Sequence, residues 1–272
     1  MPTQEIARPP IARKVPKKLV THGETRIDDY FWIRDRSNPG VIEYIEAENR
    51  YTNDVMKPTE QLQKDLFKEL VGRVKQTDKT VPDKIDNFYY YSRTEEGKQY
   101  PIYCRKKDSL EAKEEIILDV NKVSEGNSFF YVEQCRASPD HRMLVYLADM
   151  NGSERNTLFI KDLTTGVLME ERIRDVHSAE WAKDNKTIFY STMDVDNRPF
   201  KVFRHAIGTD PSKDVEVYHE EDPAYYYMRL WKSKTKEYIF VHVESATTSE
   251  VHYLRADHPL EPFKMIKPRK HG

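Results

Sequence analysis

Glycine is scarce in this chain, with nine in 272 residues, at positions 23, 40, 72, 97, 126, 152, 166, 208 and 272. No two are four positions apart, so a G-x-S-x-G nucleophile elbow is excluded, and the same spacing excludes the dinucleotide fingerprint and the phosphate loop. Cysteine is scarcer. Cys104 and Cys135 have no close-spaced partner, which argues against a metal knuckle or redox pair and for reduced, buried thiols. Neither sign of charge prevails, because 44 lysines and arginines face 46 aspartates and glutamates. That leaves no bulk field to draw in nucleic acid or anionic lipid. Long apolar runs are absent at a mean hydropathy of -0.82, so no stretch reaches the length of a membrane span. The start, Met1-Pro2-Thr3-Gln4-Glu5, lacks the charged-then-apolar plan of a signal peptide. A cytoplasmic location is the expectation.

Aromatics are plentiful instead, with 17 Tyr, 11 Phe and 3 Trp, and they recur in a pattern. Ser138-Pro139-Asp140 leads into Met143-Leu144-Val145-Tyr146 and then Thr157-Leu158-Phe159-Ile160. Lys183-Asp184-Asn185 leads into Ile188-Phe189-Tyr190, and Val202-Phe203 follows Leu158-Phe159 by the same 44 positions that separate Tyr190 from Tyr146. Ser233-Lys234-Thr235 opens a third copy, with Tyr238-Ile239-Phe240-Val241 and Val251-His252-Tyr253-Leu254. A more diverged copy is Phe88-Tyr89-Tyr90-Tyr91 with Ile102-Tyr103-Cys104. Several short strands per period of roughly 40 to 50 residues are the signature of propeller blades. Blades stack around an axis and need about four to eight neighbours to close. From Val81 onward there is room for roughly four, so this is either an unusually small ring or part of one.

The N-terminal third reads differently. Residues 1–20 alternate proline with basic and apolar residues, which keeps an arm extended rather than helical. Asn38 suits an N-cap with Pro39 at the first helical position, and Val41, Tyr44, Ile45, Tyr51 and Val55 recur near helical spacing. Pro58 interrupts that helix and Thr59 is expected to cap the next. There Leu62, Leu66 and Leu70, flanked by Phe67, Val71 and Val74, form an apolar stripe that must be buried against something. The helical segment gives way to strands between residues 73 and 85.

Candidate chemistry is thin. None of the nine histidines shows the spacing of a helical zinc site, and His205, His242 and His252 fall in strands, as core or barrel-facing residues rather than ligands. The acidic clusters Asp28-Asp29, Glu170-Glu171 and Glu220-Glu221-Asp222 are able in principle to hold a cationic group, since carboxylates bind guanidinium bidentately, against a commoner role as solvated surface. Tyr225-Tyr226-Tyr227 reads as a stacking platform or as a strand dividing its rings between two faces. Asn151-Gly152-Ser153 and Asn185-Lys186-Thr187 match the glycosylation acceptor but are better read as turn chemistry.

Three segments carry a resemblance. His22-Gly23-Glu24-Thr25-Arg26-Ile27-Asp28-Asp29-Tyr30-Phe31-Trp32-Ile33-Arg34-Asp35 resembles the N-terminal signature of the prolyl oligopeptidase family of serine peptidases. Arg204-His205-Ala206-Ile207-Gly208-Thr209 and Ser245-Ala246-Thr247-Thr248-Ser249-Glu250-Val251 are similar to its oligopeptidase B branch, which cuts short peptides after arginine or lysine. The resemblance implies a seven-bladed propeller capping an α/β-hydrolase domain that carries the serine, aspartate and histidine and that is absent from this chain.

The expected fold is therefore mainly β: an N-terminal arm and helices over residues 1–78 that would pack on the hydrolase domain, then an incomplete propeller over 79–272, about four of seven blades. No catalytic residue carries over to any position here, no substrate contact is assigned, and neither cofactor nor metal is expected. The implied partners are the missing hydrolase domain and, for the intact enzyme, short basic peptides, with neither nucleic acid nor membrane. The competing expectation is a free-standing, non-enzymatic propeller that binds protein or peptide partners.

Overall fold

The computed structural model describes residues 8–270, so the expectations for Met1-Pro2-Thr3-Gln4-Glu5 and the first part of the arm lie outside the described residues. The chain divides into two compact units, residues 1–75 and 76–272.

In the first unit the family-like signature folds as a hairpin and a turn. Strands β1 (Lys17–Thr21) and β2 (Glu24–Asp28) pair antiparallel through His22 and Gly23, both at positive φ (53° and 82°), as a two-residue hairpin requires. A 3-10 turn over Phe31–Arg34 follows, and Trp32 donates its indole N–H to Arg13 O at 2.9 Å. Helix α1 (Pro39–Met56) begins as expected: Asn38 Oδ1 accepts from Gly40 N at 3.0 Å, with Pro39 next to the cap. Pro58 lies in a 3-10 turn, Lys57–Thr59, that separates α1 from α2 (Glu60–Arg73). Thr59 occupies the cap position without capping. Its backbone is already αR, and its hydroxyl donates to Met56 O and accepts from Gln63 Nε2 rather than from the first amides of α2. Leu62, Leu66, Phe67 and Leu70 are all exposed, so the stripe of α2 finds no cover in the described residues.

The second unit is built from four-stranded antiparallel meanders. The first is β3 (Asp83–Ile85), β4 (Phe88–Arg93), β5 (Ile102–Lys107) and β6 (Glu115–Asp119). A short helix, α3 (Val120–Val123), leads to β7 (Tyr131–Ala137), β8 (Met143–Asp149), β9 (Asn156–Asp162) and β10 (Leu168–Trp181). Then come β11 (Thr187–Met193), β12 (Pro199–Ala206) and β13 (Val215–His219), and last β14 (Tyr227–Lys232), β15 (Tyr238–Glu244), β16 (Ser249–Arg255) and β17 (Lys264–Lys267). All four strand pairs expected from the repeat form: β4 with β5, β8 with β9, β11 with β12, β15 with β16.

The 14-residue β10 serves two meanders. Its first part, through Val176, pairs with β9, and Val176 to Trp181 pair with β11, so one seven-stranded sheet holds the second and third meanders. The changeover falls beside Asp175, which adopts φ 58° and re-aims the strand.

Alternation along the strands builds the core. On β8, Leu144, Tyr146 and Ala148 join the cluster shared with Ile117, Leu118, Phe130 and Val132, while Val145 and Leu147 face the opposite cluster with Leu158, Ile160, Trp181, Ile188 and Tyr190. Phe189 on β11 turns to the third cluster, with Val202, Met228, Leu230, Ile239, Val241 and Val243. Cross-strand aromatic pairs recur one repeat apart: Tyr146 stacks on Phe159 at 4.9 Å and Tyr190 on Phe203 at 5.5 Å. Polar bridges also join units a repeat apart, with Trp181 Nε1 donating to Arg136 O at 3.0 Å and Lys161 Nζ to Ile117 O at 2.9 Å.

Candidate functional site

The second strand of each meander is entered through a tight turn, and the same slot of that turn holds a non-glycine residue at positive φ in all four: Asp86, His141, Asn185 and Lys236 (55°, 61°, 61° and 63°). Aspartate, asparagine and histidine tolerate this left-handed conformation better than most side chains. Neighbouring polar groups pin it: Ser138 Oγ accepts from Met143 N at 3.0 Å, Asp184 Oδ1 from Thr187 N at 2.9 Å and Ser233 Oγ from Tyr238 N at 3.1 Å.

These turns converge. Lys236 Nζ reaches Asp86 Oδ2 at 2.9 Å, joining the fourth meander to the first across 150 positions of sequence. Asp86 Oδ2 also meets His141 Nε2 at 3.2 Å, and His141 Nδ1 pairs with Tyr90 OH at 2.7 Å. Asp140 N donates to Asn185 Oδ1 at 2.8 Å. Behind this polar bar lies a cavity of about 500 Å³, walled by Tyr90, Tyr91, Tyr103, Cys104 and Cys135 and rimmed by Arg136, Glu180, Lys183, Lys232 and Lys236.

Asp86 and Glu180, two of the carboxylates that line the cavity, each have a cation. Glu180 is 4 % exposed and receives Arg136 Nη1 at 2.9 Å and Lys232 Nζ at 3.5 Å. Burial pulls the Lys232 ammonium below its ordinary range, with Glu180 opposing the shift. The hydrogen bond from Lys236 holds the Asp86 carboxyl below its usual value. Burial pushes the Cys104 thiol up to about 11 and the Cys135 thiol up to about 12. Both are free and protonated at neutral pH, and so poor nucleophiles. Cys104 is fully buried as expected, whereas Cys135 is only partly covered. His141 is engaged at both ring nitrogens.

The histidines singled out from sequence sit elsewhere, and none lines this cavity. His205 is buried on β12 with Nδ1 on Asp214 Oδ1 at 2.8 Å, and Tyr190 OH donates to the other oxygen of that carboxylate at 2.8 Å. His252 is buried on β16 with Nε2 against Glu250 Oε1 at 2.6 Å. His242 is half-buried on β15, edge-on to Trp231 at 5.8 Å. Two acidic clusters serve local structure: Asp28 Oδ1 accepts from Tyr30 N at 2.9 Å, Asp29 pairs with Lys14 at 3.5 Å, and Glu171 Oε1 accepts from Gly208 N at 2.6 Å. The third does hold a guanidinium, since Glu220 pairs with Arg269 of the same chain. The tyrosine run divides, with Tyr225 buried and Tyr226 and Tyr227 exposed. Asn151 and Asn185 act in turns, Asn151 Oδ1 accepting from Ser153 N at 3.1 Å.

Asp86, His141 and Lys236 escaped the sequence reading. They occupy one repeat slot, two positions before the second strand of their meanders, but share no residue type, so only place within the repeat, and not a motif, marks them.

The same span is matched by the model of the prolyl oligopeptidase N-terminal β-propeller domain, over residues 9–272. Protease 2 of Moraxella lacunata is 38% identical over 271 residues, covering 97% of this chain, and dipeptidyl aminopeptidase BI of Pseudoxanthomonas mexicana is 34% identical, covering 96%. This chain spans 39% of the length of each. Among solved structures, oligopeptidase B from Leishmania major superposes with a TM-score of 0.89 at 30% identity, over 98% of this chain and 40% of that one. Oligopeptidase B from Trypanosoma brucei, with covalently bound antipain, gives 0.87 at 29%, over 97% and 40%. The meanders, the N-terminal hairpin and helices, and these matches agree that the chain belongs to the prolyl oligopeptidase family and corresponds to its N-terminal β-propeller domain.

Proposed function

We propose that this chain is the access-limiting part of an oligopeptidase B-like serine endopeptidase that cleaves short peptides after arginine or lysine in the cytoplasm. The four meanders are four of seven blades. Residues 1–78 pack on the hydrolase domain, and residues 79–272 form part of the wall in front of it. The nucleophilic serine, its histidine base and the orienting aspartate belong to the hydrolase domain, so this chain alone turns over no substrate. Its contribution is exclusion: a peptide reaches the serine only by fitting past the turn-lined cavity, which discriminates by size before any bond is attacked.

The observation that carries the reading is the superposition on oligopeptidase B over 98% of this chain at 30% identity. The Asp86–Lys236 ion pair and the Asp86–His141 hydrogen bond support it, because they cross the cavity lining with side-chain contacts rather than a continuous wall. The test compares the intact peptidase with a form lacking residues 76–272, using arginyl peptides of about five and about fifty residues. The intact enzyme should cut only the short one and the shortened form both, while residues 1–272 alone should cut neither. Serine-inhibitor-sensitive turnover by residues 1–272, or indifference of the intact enzyme to length, would overturn it.

A further inference from the structure

Three buried side chains meet at the end of the third and fourth meanders opposite the turns. Glu220 follows β13, Tyr225 precedes β14, and Glu250 lies on β16 within the motif that begins at Ser245. All three are buried, at 3 %, 2 % and 7 % exposure. Between them sits the guanidinium of Arg269. It donates through both terminal nitrogens to the Glu220 carboxylate, lies 3.6 Å over the centre of the Tyr225 ring, and points Nε at Glu250 Oε2 from 3.5 Å.

The walls of this socket are positioned by residues other than Arg269. Glu220 Oε2 accepts from Tyr218 OH and Oε1 from Asp222 N, both at 3.0 Å. Glu250 Oε1 is tied to His252 Nε2, and the Tyr225 hydroxyl to Thr248 Oγ1. A planar cation is thus matched by a bidentate carboxylate, a second carboxylate and an aromatic face, each with further hydrogen-bond partners of its own. Stability alone is a poor reason for such an arrangement, since burying two carboxylates around one cation costs more desolvation than an apolar contact of the same volume.

The resident arginine fits incompletely. Its Nε is buried without a hydrogen-bond partner. Pro268 and Lys270 on either side are exposed, and no backbone hydrogen bond ties the segment after Lys267 to a strand among the described residues.

We propose that Glu220, Glu250 and Tyr225 form a binding site for the arginine side chain of a peptide, which Arg269 occupies in its absence. An incoming guanidinium displaces that of Arg269, and no bond is made or broken. The site stands on its own geometry and does not depend on the peptidase reading.

The experiment titrates N-acetyl-arginine methylamide into residues 1–272 and into Arg269→Gln, by calorimetry, with the uncharged citrulline analogue and the lysine analogue as comparators. The arginine probe should bind Arg269→Gln at least tenfold more tightly than the unsubstituted chain, and adding Glu220→Gln should abolish the gain. A second measurement needs no substitution. The Arg269 Nε–H NMR signal of the unsubstituted chain should move to its free-arginine position with the arginine probe and stay in place with the citrulline probe. Equal binding of arginine and citrulline, or no binding to Arg269→Gln with an unmoved Arg269 signal, overturns the proposal.

Discussion

The second and fourth meanders come from closely similar sequence patterns and are buried quite differently. On β8 both faces are covered, with Leu144, Tyr146 and Ala148 on one side and Val145 and Leu147 on the other. On β15 only Ile239, Val241 and Val243 are fully buried, and the alternate residues Tyr238, Phe240 and His242 stay half-covered beside Trp231 and Tyr253. The difference is made by neighbours rather than by residue type: a strand face is core only when another sheet lies against it. The half-covered aromatic face of the fourth meander is what a further blade would cover in the proposed seven-bladed ring.

The largest test of this contrast sets Trp181→Ala against Phe240→Ala. Trp181 is fully buried between the second and third meanders, and its loss should cost about 3–5 kcal/mol, whereas Phe240→Ala should cost about 1 kcal/mol or less. Urea unfolding of the two variants checks it, and equal losses would remove the distinction. Next in size is the turn slot. Asn185→Val puts a β-branched side chain at φ 61° and removes the acceptor of Asp140 N, and should cost about 1–2 kcal/mol by the same assay.

A smaller energetic effect, read in another way, comes from the exposed face. The chain should associate as concentration rises, and Phe240→Lys should weaken that association by light scattering while moving the urea midpoint little. Unchanged scattering would show that the face is not sticky.

The smallest effect is a pH slope located between the first and second meanders. Burial raises the Cys104 thiol to about 11 and Cys135, Tyr103 and Tyr146 to about 12, above their ordinary values. These groups stay neutral in the folded chain after they have ionised in the unfolded one. Stability is therefore fully present below about pH 9 and is lost progressively as pH rises toward about 12. Cys135→Ser should flatten that decline, measured as urea midpoint against pH.

Much of this was legible in sequence. The strand pairs of four meanders could be read from the repeat, because a period of roughly 40 to 50 residues and the alternation of apolar residues are local signals. Asn38 and Pro39 announced α1 for the same reason. The sharing of β10 was not legible, because it depends on which neighbour each half meets and on one positive φ at Asp175. Thr59 looked like a cap, but capping depends on where its hydroxyl points. The Glu220 cluster read as mostly solvated, since its partner Arg269 lies 49 positions away and nothing local ties them. The cavity residues were hidden because position within a repeat, rather than chemical type, brings them together.

The strand shared by the second and third meanders also decides where this part of the molecule flexes. Two blades stitched into one continuous sheet cannot swing apart without tearing ladder hydrogen bonds, so they move as a single stave. Breathing motions concentrate at the two joins on either side, where side-chain packing and a few polar ties are all that resist opening.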